Sequence, residues 1–233
     1  MAVLIITIDG PAASGKSTVA RLLAGRLNAS FLDTGAMYRA VTLAAMRASI
    51  DLSDEQKLLD VMLKHEFQFS DQAGKMIVCI DGADVTEDIR NPEVTANARY
   101  IAAAPKVRER LVQMQRQFAS GRQKIVTEGR DQGTVAFSDA DIKFFLTADL
   151  AERARRRQAE LGISESQSAT GVPISPRFCE MGSPDIQKAI EQRDKSDQER
   201  AVGPLKPAED AIIVDTTNLS IEQVVEKLAD YVK

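Results

Sequence analysis

ITIDGPAASGKSTVARLL, residues 6–23, sets two glycines, a lysine and a serine between an apolar run and a helical pattern. Residues 3–8 are almost continuously apolar and rich in β-branched side chains, the pattern of a strand buried on both faces. Downstream, Val19, Ala20, Leu22, Leu23 and Leu27 recur at helical spacing. Between them Gly10 and Gly15 bracket four residues and are followed by Lys16 and Ser17, the pattern G-x-x-x-x-G-K-[ST]. Strand, glycine loop and helix in that order are the context of a phosphate-binding loop. Glycine reaches backbone geometries closed to other residues, so successive N–H groups converge on one anion. The helix start adds partial positive charge. The loop predicts an ATP site made of Gly10, Pro11, Ala12, Ala13, Ser14, Gly15, Lys16, Ser17 and Thr18, with Lys16 on the outer phosphates and Ser17 on Mg²⁺.

Composition narrows the alternatives. A chain of 233 residues has room for one or two domains and a sizeable core. Its net charge of −4 argues against a general nucleic-acid or membrane surface. Cys79 and Cys179 are far apart in sequence and make no metal-ligand cluster, which suits a reducing cytoplasm. The first apolar run is too short to span a membrane and lacks a basic flank and cleavage site, so no export signal is expected. The single histidine, His65, falls in the polar tail of a helical pattern and is expected in solvent. Histidine-centred triads and His-rich metal sites are thereby disfavoured.

Five short apolar runs, residues 3–8, 30–33, 124–127, 142–146 and 211–215, alternate with helical patterns near 16–28, 36–49, 106–120, 150–161, 184–199 and 221–232. That alternation predicts an α/β fold with a parallel sheet covered on both faces. The last helix begins at Ser220 with Gln223 three residues on, a capping-box signature. Residues 52–104 break the alternation. EFQFSD, KMIVCIDG and ADVTEDI, with turn signals at 71–74 and 81–82, predict a small antiparallel insert. Residues 162–184, rich in Gly, Ser and Pro, predict a flexible loop or mobile cover.

Polar residues gather at the carboxyl ends of the expected strands, where open α/β sheets bind ligands. Asp33, Thr34, Tyr38 and Arg39 follow the second strand. Glu128, Arg130 and Asp131 follow the third, a costly way to end a buried strand unless something charged binds there. Arg193, Asp197 and Arg200 stand at i, i+4 and i+7 and are expected on one helix face, while Arg153, Arg156 and Arg157 form a second basic face. Arginine suits phosphate because its planar fork donates bidentately. Phosphoryl transfer relies on positioning and charge neutralisation, and an acceptor that is itself a phosphate, mostly dianionic above its second pKa of ~6, needs no histidine base.

TIDGPAASGKST, FLDTGAMYRA, PKVRERL, EGRDQGTVAFSDADIKFFLTA, ERARRR, RDKSDQERAVGPL and AIIVDTTNLSIEQVVEKL, in that order, resemble the motifs of bacterial cytidylate kinases, which are nucleoside monophosphate kinases. The resemblance spans nearly the whole chain outside 162–184. It implies a P-loop NTPase fold with a five-stranded parallel sheet in one kinase domain, 1–233. Within it the core would be 1–51, 104–150 and 200–233, the antiparallel NMP-binding insert 52–103 and the lid 151–199. It implies transfer of the ATP γ-phosphoryl group to CMP or dCMP with Mg²⁺ by a monomer. By the same resemblance Thr34, Tyr38, Arg108 and Asp131 line the cytosine pocket, and Arg39, Arg130 and Arg200 surround the acceptor phosphate. Arg193 with Asp197 would hold the ribose, and the lid arginines Arg156 and Arg157 would approach ATP. The catalytic set is then Lys16, Arg130, Arg200, Arg156 and Arg157. Mg²⁺ would lie on Ser17, with Glu128 and Asp33 reaching it through water. Two positions depart from the family pattern: Arg99 stands where relatives carry a cytosine-contacting serine, and Glu128 where they carry aspartate. The motifs alone also admit another P-loop small-molecule kinase (UMP/CMP, adenylate or shikimate kinase) or a nucleotide-dependent switch.

Overall fold

Strand β1 (Leu4–Asp9) lies at the centre of a parallel sheet in the computed structural model, which describes residues 3–160 and 183–232. The chain runs on through α1 (Lys16–Leu27), β2 (Ser30–Asp33), α2 (Thr34–Arg47) and α3 (Glu55–Lys64) to β3 (Phe67–Gln72), β4 (Lys75–Ile80) and β5 (Ala83–Asp84). A 3₁₀ turn, Asp88–Arg90, leads to α4 (Pro92–Ala103), α5 (Pro105–Ser120) and β6 (Lys124–Glu128). A π-type turn at Gln132–Ala136 precedes β7 (Ile142–Thr147), α6 (Leu150–Glu160), α7 (Ser183–Gln198), β8 (Ile212–Asp215) and α8 (Ile221–Asp230). The large sheet has the order β2-β6-β1-β7-β8, and every neighbouring pair is parallel. All five expected strands are present. The cover expected over 162–184 lies, through residue 182, outside the described residues, as does Cys179.

Strands β1, β2, β6 and β7 are mostly buried on both faces, which explains their apolar runs. The expected cover on both faces fails at the edge strand β8, where Ile213 is 62% exposed. On one face Val19, Ala20 and Leu23 of α1 and Val224, Val225 and Leu228 of α8 pack on Ile6, Ile8, Val126 and Phe144. The other face is covered by α2 and α5 through Met37, Ala40, Val41, Val107 and Leu111. That second cluster continues into Leu58, Val61, Met76, Val78, Ile80, Ile89 and Ile101, so the antiparallel insert shares its core with the large sheet. The capping box of α8 forms in both directions: Gln223 N donates to Ser220 Oγ at 3.2 Å, and Ser220 N donates to Gln223 Oε1 at 2.9 Å.

The insert is a three-stranded sheet in the order β3-β4-β5. Both expected turns form as tight hairpins, with φ of 52° and 80° at Ala73 and Gly74 and of 51° and 79° at Asp81 and Gly82. Positive φ at both central residues matches the twist of the flanking strands. The hairpin tip is tied to the large sheet, since Asp71 Oδ2 accepts from Phe31 N at 2.9 Å. β5 is shorter than ADVTEDI suggests. Asp84 Oδ1 takes the Thr86 amide at 2.8 Å, and the Thr86 hydroxyl accepts from Val78 N at 3.0 Å, so side chains replace the ladder there. His65 sits at the end of α3 with Nδ1 2.6 Å from Asp81 Oδ2, so it is partnered as well as near solvent.

Candidate active site

The strand ends of β1, β2 and β6 bring one set of polar groups together. After β1, Gly10 adopts φ 150°, and a side chain there would overlap the Leu146 carbonyl of β7. Ala13 and Gly15 follow with φ 58° and 87°. Lys16 opens α1 at 5% exposure, and its Nζ donates to Pro11 O at 2.7 Å, curling over the loop. Burial and the nearby Arg130 charge bring the ammonium down to about 7. Ser17 Oγ donates to Glu128 Oε1 at 2.8 Å, joining the loop to the end of β6. Asp9 makes a second join, its carboxylate accepting from Gln132 N at 2.9 Å and Gly133 N at 2.7 Å. Burial raises Asp9 to about 7 even though those amides pull it down.

On the β2 side, Asp33 caps α2 by accepting from Ala36 N at 2.8 Å and takes Arg39 Nη2 at 3.2 Å. The Thr34 hydroxyl donates to the Glu128 carbonyl at 2.7 Å. Glu128 itself is pushed up by burial and by the Asp33 charge. Arg108 of α5 pairs with Asp131, both almost fully buried, and its guanidinium lies 5.7 Å from the Tyr38 ring centre. Burial pushes the Tyr38 phenol up to about 12. Gly203 (φ 60°) packs so tightly on the Arg108–Asp131 pair that a methyl group there would overlap it. Arg39 Nε and Arg108 Nε are buried with no hydrogen-bond partner among the described residues. Buried donors left over in this way are expected where a ligand brings the acceptors.

Asp197 bridges two arginines: Arg130 Nε donates to its Oδ2 at 2.8 Å, and Arg200 pairs with its Oδ1. Arg193, one turn earlier on α7, is solvent-exposed and close enough to Lys16 and Arg130 for their charges to oppose one another. Arg200 lies beyond the end of α7, so the expected single helix face holds for Arg193 and Asp197 only. On α6, Arg156 donates to Thr216 O at 2.6 Å, to Thr216 Oγ1 at 2.9 Å and to the loop carbonyl Ser14 O at 3.4 Å. Arg157 pairs with Glu160 at 2.9 Å and is close enough to Arg193 for their charges to oppose one another. Arg99 of α4 is also exposed, stacked 4.9 Å from the Tyr100 ring centre.

The sequence pattern does not single out Asp9, Gly203 or Thr216, nor Asp194, whose carboxylate accepts from the loop amide Ala12 N at 2.9 Å. Asp9 had a signal, because a carboxylate ending a buried strand is the feature that drew attention to Glu128. Gly203 had none, since nothing local marks a glycine that must admit a side-chain pair from elsewhere. Hollows of about 300 Å³ beside Asn28 and Gly74 and about 230 Å³ among Phe67, Phe69 and Phe118 lie away from the polar crevice. Among the described residues no three His, Cys, Asp or Glu side chains cluster as a metal cage. A hydroxyl at Ser17 beside the Glu128 carboxylate nevertheless suits a hard cation that takes its other ligands from phosphates and water.

A family model described as cytidylate kinase matches residues 6–233. The chain is 45% identical to a cytidylate kinase of Desulfitobacterium hafniense (strain Y51), over 97% of this chain and 90% of that protein. It is 44% identical to a cytidylate kinase of Stutzerimonas stutzeri (strain A1501), over 96% and 93% of the two chains. A solved structure of an uncharacterized protein from Eubacterium ventriosum ATCC 27560 superimposes with a TM-score of 0.51 at 15% identity, covering 99% of this chain and 98% of that one, a likeness of fold alone.

Proposed function

We propose a reaction for a chain that belongs to the cytidylate kinase family: the γ-phosphoryl group of ATP passes to the phosphate of CMP or dCMP, giving ADP and CDP or dCDP. ATP is held by the loop from Gly10 to Thr18, whose amides after Ala12 and α1 start face the phosphates. Lys16, Arg130 and Arg200 neutralise charge as the phosphoryl group moves in line between two anions. The incoming phosphates restore the Lys16 ammonium that burial disfavours. No protein base is required, because the acceptor phosphate is already a dianion at neutral pH.

The acceptor is held from the opposite side. Arg39, Arg130 and Arg200 bind its phosphate, and Arg193 with Asp197 bind the ribose. Thr34, Tyr38, Arg108 and Asp131 form the base pocket. Cytosine offers an N4 donor beside N3 and O2 acceptors, which a carboxylate and a guanidinium match; uracil presents an acceptor where Asp131 needs a donor. Arg156 borders the ATP loop already, whereas Arg157 must leave Glu160 to take part. Mg²⁺ would be held by the Ser17 hydroxyl and, through water, by Glu128 and Asp33. When bound it supplies further neutralisation of the phosphate oxygens. Within a single domain, 52–103 serves as the CMP-binding insert and 151–199 as the lid, in a cytoplasmic monomer.

The observation that carries this reading is the ring of buried or half-buried cations, Lys16, Arg39, Arg108, Arg130 and Arg200, around one crevice of an acidic protein. Two of them keep a spare buried N–H. A coupled assay with ATP across CMP, dCMP, UMP, AMP and shikimate tests it. Preferential turnover of CMP and dCMP is expected; turnover of shikimate or AMP in their place contradicts it.

A further inference from the structure

The tip of the ATP loop is gripped by residues outside the loop. Ala12 N donates to Asp194 Oδ1 at 2.9 Å, and Ala12 O accepts from Arg153 Nη1 at 3.2 Å. The same two side chains pair with each other through Arg153 Nη1 and Asp194 Oδ2, each 11% exposed. Arg153 stands on α6, where its Nε also donates to Ala148 O at 3.1 Å, and Asp194 on α7. Around them Ala12, Ala154, Ile186 and Ile190 form a small apolar cluster of their own, with Ala13 and Leu150 packed against it. The two helices that flank residues 161–182 thus meet on one loop residue.

A nearly buried ion pair is a weak source of net stability, because desolvation offsets its attraction. This one gives its remaining hydrogen bonds to both main-chain groups of Ala12. The next residue, Ala13, is left-handed at φ 58°. Such strain in a residue with a side chain persists only where the surroundings over-determine it. Three residues beyond Asp194 the same helix presents Asp197 to Arg130 and Arg200.

We propose that Arg153 and Asp194 are positioning residues for ATP: by fixing both main-chain groups of Ala12 they hold the loop in its phosphate-receiving shape before nucleotide arrives. The role rests on the reading of residues 10–18 as the ATP site. Preorganisation of this kind raises affinity by removing an ordering cost at binding, so its loss falls on ATP and spares CMP.

Two variants test the role: Arg153→Met with Asp194→Leu, which replaces the pair by apolar groups of similar size, and Asp194→Asn, which keeps an oxygen for the Ala12 amide. Melting temperature and the KM values for ATP and CMP are measured for each beside the native chain. In the double variant the buried Ala12 main chain loses both partners, so we expect a folded chain melting several degrees lower, a KM for ATP raised at least tenfold and a KM for CMP within twofold of native. Asp194→Asn is expected to raise the KM for ATP about threefold. A folded double variant with native KM for ATP overturns the proposal, as does an equal rise in both KM values. If the double variant does not fold, the Asn variant decides on the same criteria, and failure of both to fold assigns the pair to stability and overturns the role. Lack of turnover by the native chain defeats the ATP-site reading itself, a separate outcome.

Discussion

Arg108 and Asp131 satisfy each other inside the protein, and Arg108 Nε is left over. A base that donates to Asp131 and accepts from Arg108 replaces that pairing at little cost, while one that cannot donate leaves the carboxylate unpaired. An unpaired buried group costs about 1–3 kcal/mol. Asp131→Ala should therefore lower the ratio of kcat/KM for CMP over UMP at least tenfold, and an unchanged ratio removes Asp131 from base recognition. Gly203→Ala pushes a methyl group into the same pair. It should raise the KM for CMP tenfold or more with the KM for ATP unmoved. Lys16 gives a pH signature. Its folded value of about 7 lies below the usual 10.5, so above pH 7 the free protein lacks that proton and phosphate binding restores it. Asp9, Glu128, Arg130 and Arg193 are the charges that face it. Calorimetry of ATP binding at pH 8 in two buffers of different ionisation enthalpy should show net proton uptake that disappears near pH 6. Equal heats in both buffers at pH 8 contradict the shift.

At the scale of elements, the turns carry measurable strain. Ala73 has φ 52° in the hairpin that ties the insert to β2. Ala73→Gly removes a left-handed cost of about 1–2 kcal/mol against a smaller entropic loss, so the melting temperature should rise by a few degrees with kcat unchanged. A fall in melting temperature shows that the alanine methyl packs productively. Helices and strands of the large sheet were legible because apolar periodicity and burial coincide there. α4 escaped the pattern, since few of its side chains are buried; Asn91 before Pro92 was the local signal that marked its start, with Asn91 Oδ1 accepting from Glu93 N at 2.9 Å. β5 is shorter than its sequence pattern because the Thr86 hydroxyl takes a bond that strand pairing would have made. Position at a strand end marks Asp33, Glu128 and Asp131 as candidate site residues, whereas no pattern reveals a partnership between residues far apart in sequence such as Asp194 with Ala12.

At the scale of the whole molecule, the insert has no core of its own among the described residues. Leu58 of α3 is 1% exposed in the cluster that runs to α2 and α5. Leu58→Ala should cost about 2–5 kcal/mol and lower the melting of the entire chain in one transition. A first transition confined to the insert, with turnover-competent ATP binding surviving it, contradicts a shared core. The wider account is that two anions are held face to face, ATP by the loop and Lys16, CMP by arginines from α2, the β6 loop and the end of α7. Turnover of CMP by ATP in native protein and in Lys16→Ala tests it most directly. The account predicts CDP formation by the native chain and a fall in kcat of about 10²–10³ in the variant, the scale of losing one transition-state donor. CDP formation at the native rate by Lys16→Ala contradicts it.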